Sequence, residues 1–199
     1  MEYLQNMQIV LNNTKKVFNP PPDLTISSWA DSHRRLSPEN SAEAGQWNTT
    51  RAEYQREIMD TFNDPSIQRI VVMTSSQVGK TELVLNAIAY YMDQDPSPML
   101  CVQPTLAMAQ SFSKDRLAAM IRDTKKIKDL VAESRSRDSG NTVLHKKFPG
   151  GHLSLVGSNS AAGLASRPIR VLLLDEVDRY ELSAGSEGSP TDLAIARTK

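Results

Sequence analysis

An α/β fold with a mainly parallel sheet flanked by helices is what this sequence predicts, and three observations carry the prediction. From Ile67 onward, apolar strand-like runs alternate with helix-like stretches, the pattern of a parallel sheet whose strands are joined by crossover helices. The run Ile70-Val71-Val72-Met73 leads into Thr74-Ser75-Ser76-Gln77-Val78-Gly79-Lys80-Thr81, and a helix-like stretch follows from Glu82 to Met92. A second run, Ile169-Arg170-Val171-Leu172-Leu173-Leu174, ends in Asp175-Glu176. An unbroken apolar run suits a strand covered by helices on both faces.

The elements follow in order. Leu4, Met7, Leu11 and Phe18 are spaced for an amphipathic helix, which Pro20-Pro21-Pro22 stops. Ser28 is placed to cap a short helix carrying Trp29, and residues 37–50 are polar and loop-like. Residues 1–50 therefore read as a helical and linker appendage, and residues 51–199 as the α/β domain. Arg51 to Phe62 reads as a helix with Tyr54, Ile58 and Phe62 on one face. Strands are predicted over 68–74, 98–103, 142–148, 151–156 and 169–175, and helices over 80–92, 105–121 and 124–133. The strands at 142–148 and 151–156 meet through Pro149-Gly150-Gly151, as a hairpin would.

Composition narrows the function. No apolar run approaches the roughly 20 residues that span a bilayer, and Met1-Glu2-Tyr3-Leu4-Gln5 lacks the basic start of a signal peptide. No membrane partner is expected. The single cysteine, Cys101, excludes an internal disulfide and suggests a reducing compartment. The three histidines, His33, His145 and His152, lack zinc-site spacing. The formal net charge is +0, whereas a domain that grips DNA unaided is usually basic. Any DNA contact must come from a local patch, from other domains or from a ring of subunits. Lys114, Arg116, Arg122, Lys125, Lys126 and Lys128 form one basic stretch, readable as a solvated face or as a DNA-facing patch.

The loop Thr74–Thr81 has the strand–loop–helix setting of a phosphate-binding P-loop, although Thr74 stands where the usual pattern begins with glycine. In such a loop the N–H groups of Ser75, Ser76, Gln77, Val78 and Gly79 turn toward a polyphosphate, helped by the helix N-terminus at Lys80, Thr81 and Glu82. Lys80 reaches the outer phosphates of ATP, and the Thr81 hydroxyl helps hold Mg²⁺. Asp175 is placed to hold the same Mg²⁺, and Glu176 to polarise the attacking water. The bland reading is a core strand ending in two solvated acids, and a P-loop at this separation argues against it.

Trp29-Ala30-Asp31, Trp47, Tyr54-Gln55-Arg56-Glu57-Ile58-Met59, Ser76–Thr81, Gln103-Pro104-Thr105, Asp175-Glu176-Val177-Asp178 and Glu187-Gly188-Ser189-Pro190-Thr191 occur in that order. Together they resemble the large terminase subunits of tailed bacteriophages, specifically the lambda-like family, from about Trp29 to Lys199. The resemblance implies a RecA-like (ASCE) P-loop ATPase that packs double-stranded DNA into a procapsid in the host cytoplasm. It also implies a small terminase subunit, a portal docking site, a homo-oligomeric ring and a C-terminal nuclease. Tyr54 and Gln55 correspond to the family's adenine-binding motif, which suits a ring that stacks on a base and an amide that pairs with its edge. The other reading places them in the core, which suits Tyr54 better than Gln55.

Gln77 occupies the loop position where many ATPases of this group carry arginine, so a stabilising arginine must come from elsewhere. Arg167 is the candidate finger, and Arg170 and Arg179 are rivals. A complete domain of this type has a further strand after the acidic one. Val177 to Lys199 is mostly polar and holds no nuclease carboxylate cluster, so the chain reads as an N-terminal fragment that lacks the end of the ATPase domain. Two other functions fit some of the residues. Asp175-Glu176-Val177-Asp178 also suits a DExD-type helicase, which needs a second RecA-like domain. An assembly subunit that binds nucleotide without turnover has no need of Glu176.

Overall fold

The computed structural model describes residues 24–131, 140–165 and 168–198. The predicted N-terminal helix and the triple proline lie outside the described residues. The first helix, α1, spans Ile26–His33, and Thr25 caps it by accepting from the Ser28 N–H. Ser28 is therefore not the cap the sequence suggests. It lies inside the first turn and donates its hydroxyl to the Thr25 carbonyl, because the extended backbone is at Thr25. Arg35–Leu36 (β1) and Gly45–Gln46 (β2) form a small antiparallel ladder. A 3₁₀ turn at Thr49–Ala52 then leads into α2, Tyr54–Thr61.

The predicted helix at 80–92 is α3, Lys80–Asp93. Trp29, fully buried, donates its indole N–H to Asp93 at 2.8 Å and ties α1 to the far end of α3. The predicted strand at 98–103 is β3, Pro98–Gln103. After it, Thr105 caps α4, Leu106–Ser111, which continues as a π-helical stretch, Phe112–Leu117, and then as α5, Ala118–Asp123. The wider π turn keeps Phe112 and Leu117 both in the core. Next come α6, Lys125–Leu130, and β4, His145–Phe148, shorter than its predicted 142–148. The hairpin turn leads to β5, Gly151–Gly157, with Gly150 at φ +81°, where glycine is the residue without strain. The last elements are α7, Ala161–Ala165; β6, Val171–Leu174; and α8, Pro190–Ile195.

These strands make a mixed sheet in the order β4-β5-β3-β6, flanked by helices. β3 is parallel to both β5 and β6, and only β4 runs antiparallel. Successive side chains of β3 point to opposite faces. Met99 and Cys101 join one cluster with Trp29, Leu85, Ile88 and Met92, and Leu100 and Val102 join another with Leu164, Ile169 and Ala194. The register pairs Val102 with Leu174 and Gln103 with Gly157, so the carboxyl ends of β3, β5 and β6 lie side by side.

One expected strand is missing. Residues 68–74 form no strand, and Val71 and Met73 are 82% and 95% exposed. A strand needs a neighbour to take its N–H and C=O groups, and no described strand runs beside this segment.

Candidate functional site

The loop ahead of α3 is built around two left-handed residues, Gln77 (φ 61°) and Gly79 (φ 81°). The left-handed backbone calls for glycine at position 79, and a Cβ there would lie 2.6 Å from Gln55 Nε2 and so displace that amide. Gln55 Nε2 and the Tyr54 hydroxyl each donate to the Val78 carbonyl at 2.9 Å. Gln55 is 2% exposed and Tyr54 60%. That reverses the burial expected for the pair, while Ile58 and Phe62 of the predicted Tyr54–Ile58–Phe62 face do pack against the core. Gln55 and Met59 are the residues that α2 buries fully. The Gln55 Oε1 atom is buried with no hydrogen-bond partner.

Thr74, Ser75, Ser76 and Gln77 are exposed, while Val78, Gly79, Lys80 and Thr81 are half-buried. Lys80 Nζ folds back to the Thr74 carbonyl at 3.5 Å. No side chain caps α3, so its leading N–H groups and dipole face the loop. Glu82, in the first turn, is taken up by Arg34, whose Nη2 lies 2.9 Å from Glu82 Oε2. Arg34 is 3% exposed. Burial works against its charge, and the Glu82 carboxylate, with Asp123, works for it.

The acid pair sits just past the end of β6. The Asp175 N–H donates to the Val102 carbonyl at 3.1 Å, and Asp175 Oδ2 accepts from Gln103 Nε2 at 3.0 Å. Glu176 adopts φ 50°, an uncommon conformation for glutamate. Its buried Oε2 lies 3.1 Å from Arg179 Nη1, an ion pair whose angles do not make a hydrogen bond. Tyr180 donates to the Val102 carbonyl at 2.9 Å. Burial, with the Asp175 charge nearby, pushes the Cys101 thiol up to about 12 and raises Tyr180 as well.

The structure thus joins Tyr54 and Gln55 to the loop, Gln103 to Asp175, and Arg179 to Glu176. No hydrogen bond or ion pair joins the loop to the acids among the described residues. Arg167 lies outside the described residues. Arg170 lies at the other end of β6 from Asp175, held by Asp95 through two 2.7 Å bonds. Sequence reasoning assigned no role to Arg34 or Gln103. An arginine in a polar stretch gives no signal of its partner. A glutamine that ends an otherwise apolar strand does give one.

Among the described residues, no group of three or more His, Cys, Asp or Glu side chains could hold a metal ion, and no helix is long and apolar enough to cross a membrane. No solved structure matches the chain. Two curated relatives do. The chain is 29% identical over 178 residues to the terminase large subunit of Enterobacteria phage P21, covering 89% of this chain and 27% of that protein. It is 27% identical over 184 residues to the terminase large subunit of Escherichia phage lambda, covering 92% of this chain and 28% of that protein. The chain therefore spans a little over a quarter of the length of these relatives. Residues 41–199 match the family described as phage terminase large subunit gpA, ATPase domain. That match takes in the loop, the acid pair and every strand of the four-stranded sheet, and the chain belongs to this family of phage terminase large subunits.

Proposed function

We propose that this chain is the RecA-like (ASCE) P-loop ATPase part of a DNA-packaging terminase, hydrolysing ATP with Mg²⁺ to drive double-stranded DNA into a procapsid. The observation that carries the proposal is the uncapped N-terminus of α3 beneath a loop whose shape is fixed by Gly79 against Gln55. Such a loop suits a polyphosphate, because leading N–H groups and the helix dipole favour an anion there. The half-buried Lys80 and Thr81 and the acids past β6 are the donor set that Mg·ATP requires.

Each residue then has a task. The backbone of Ser75 through Gly79 and the start of α3 bind phosphate oxygens. Lys80 exchanges its long contact with the Thr74 carbonyl for the outer phosphates. Thr81 and Asp175 would hold Mg²⁺, and Glu176 orients water and accepts its proton. When bound, Mg²⁺ supplies charge neutralisation on the β- and γ-phosphate oxygens. Gln55 and Tyr54 tie the base-binding region to the loop through the Val78 carbonyl, with Gln55 Oε1 left to meet a nucleotide donor. Glu82 supports Arg34 and the start of α3 from the side.

Residues 51–199 are proposed as the ATPase domain, with the preceding segment as an appendage. The proposed setting is the host cytoplasm, with partners in DNA, a small terminase subunit, the portal of the procapsid and further copies of the chain in a ring. Lys80→Ala tests the reading in the intact protein. ATP turnover should fall by a factor corresponding to about 2.7–4 kcal/mol, the range for losing one donor to developing charge. The melting temperature should stay unchanged. Wild-type turnover in a folded Lys80→Ala protein would refute it.

A further inference from the structure

We propose that Gln103 is a positioning residue that fixes the Asp175 carboxylate for metal binding. The proposal rests on the reading of Asp175 as a metal-holding residue. Gln103 ends β3, whose preceding residues Met99, Leu100, Cys101 and Val102 are all buried and apolar. An amide in that setting is unfavourable unless its groups are satisfied. Gln103 is 3% exposed, and its Nε2 donates to Asp175 Oδ2 at 3.0 Å. The backbone holds both ends of this bond. Asp175 N–H donates to the Val102 carbonyl, and the Ser158 N–H donates to the Gln103 carbonyl at 2.8 Å. The two side chains thus emerge from neighbouring parallel strands at fixed separation.

The bond has a chemical direction. An amide N–H donates to a carboxylate and has no negative charge to repel it. Glutamate at this position would set two carboxylates together. With Oδ2 engaged, Asp175 has Oδ1 left to offer a hydrated metal ion. A carboxylate held in one rotamer loses less freedom when the ion arrives, and partners of this outer kind commonly govern metal affinity by about 10–100-fold.

The test is a metal titration on the intact protein with ADP bound. Mn²⁺ serves as the probe, and free Mn²⁺ is counted by electron paramagnetic resonance. Gln103→Met keeps the length and removes the donor, and Gln103→Leu is the second variant should Met repack the strand end. Asp175→Asn runs in parallel. The expected result is Mn²⁺ affinity about tenfold weaker in Gln103→Met, with metal-free ADP affinity within twofold of wild type. A merely structural role for Gln103 would weaken both affinities together, and that outcome overturns the inference. Unchanged Mn²⁺ affinity in Gln103→Met and Gln103→Leu, beside a clear loss in Asp175→Asn, overturns it while leaving the reading of Asp175 intact. Unchanged affinity in Asp175→Asn would remove that reading, and the inference with it.

Discussion

Gly79 meets the Gln55 amide where any other residue would place a Cβ, and its backbone is left-handed. Gly79→Ala combines a left-handed alanine, unfavourable by about 1–2 kcal/mol, with a displaced Gln55. Denaturant unfolding should show a loss of at least that size, and turnover should fall with it. Unaltered stability would mean that the loop relaxes freely and that Gln55 does not brace it. Glu176 calls for a different experiment. Glu176→Gln keeps the side-chain length but cannot accept a proton, so turnover should fall by about 10²–10⁴ while ATP still binds. Equal loss of binding and turnover would place Glu176 among the binding groups. Gln55 also shows where residue-level sequence reading stops. Its type says that it can pair with a base edge. That its Nε2 is spent on the Val78 carbonyl depends on two segments 23 residues apart.

The pairing of elements is where Arg34 matters. It caps α1 at the backbone, and its side chain reaches the first turn of α3, tying the segment before residue 51 to the start of that helix. Arg34→Ala leaves Glu82 without its partner. A loss of about 3 kcal/mol is expected, the low end for breaking a buried pair, because the Glu82 side chain keeps 18% exposure. A double-mutant cycle with Glu82→Gln checks this, and additive effects would exclude a coupled pair. Local pattern was sufficient where an element's own residues decide it. β3 matches its predicted span because an apolar run bounded by prolines is unambiguous. α2 forms within its predicted span and packs Ile58 and Phe62 on the core, but Gln55 rather than Tyr54 turns inward, toward the Val78 carbonyl. The run 68–74 failed as a strand for the complementary reason: its composition suits a strand, but pairing depends on a neighbour.

For the molecule as a whole, the α/β class and the span of β3 were legible in the sequence, β6 is shorter than its predicted 169–175, and the contacts between the strands were not legible. Charge patterning was only partly legible. Arg122 is paired with Glu39 and Asp123, and Arg116 donates to the Asn40 carbonyl, while Lys125, Lys126 and Lys128 stay exposed on α6. With a formal net charge of +0, one subunit would offer few phosphate contacts to DNA, and a ring of the kind proposed would accumulate them. If Arg167 acts across a subunit boundary, Arg167→Ala and Glu176→Gln subunits should each be inactive alone and recover part of the ATPase when mixed. A supplied arginine can be worth about 10³–10⁵ in rate. No recovery at any ratio, or normal activity in Arg167→Ala alone, would exclude Arg167 and leave Arg179, which already pairs with Glu176.

The unpaired run before the loop also bears on how the protein behaves at high concentration. Ile70-Val71-Val72-Met73 is uncharged, rich in β-branched residues and largely exposed, and among the described residues no strand pairs with the outer side of β6. An exposed segment of that composition and an unpaired sheet edge are each templates for intermolecular cross-strand stacking. Arg69 and Pro65 stand upstream as gatekeepers, whereas Thr74-Ser75-Ser76 downstream carries no charge. The apolar stretch that leads the chain into the loop before α3 is thus an exposed liability to self-aggregation.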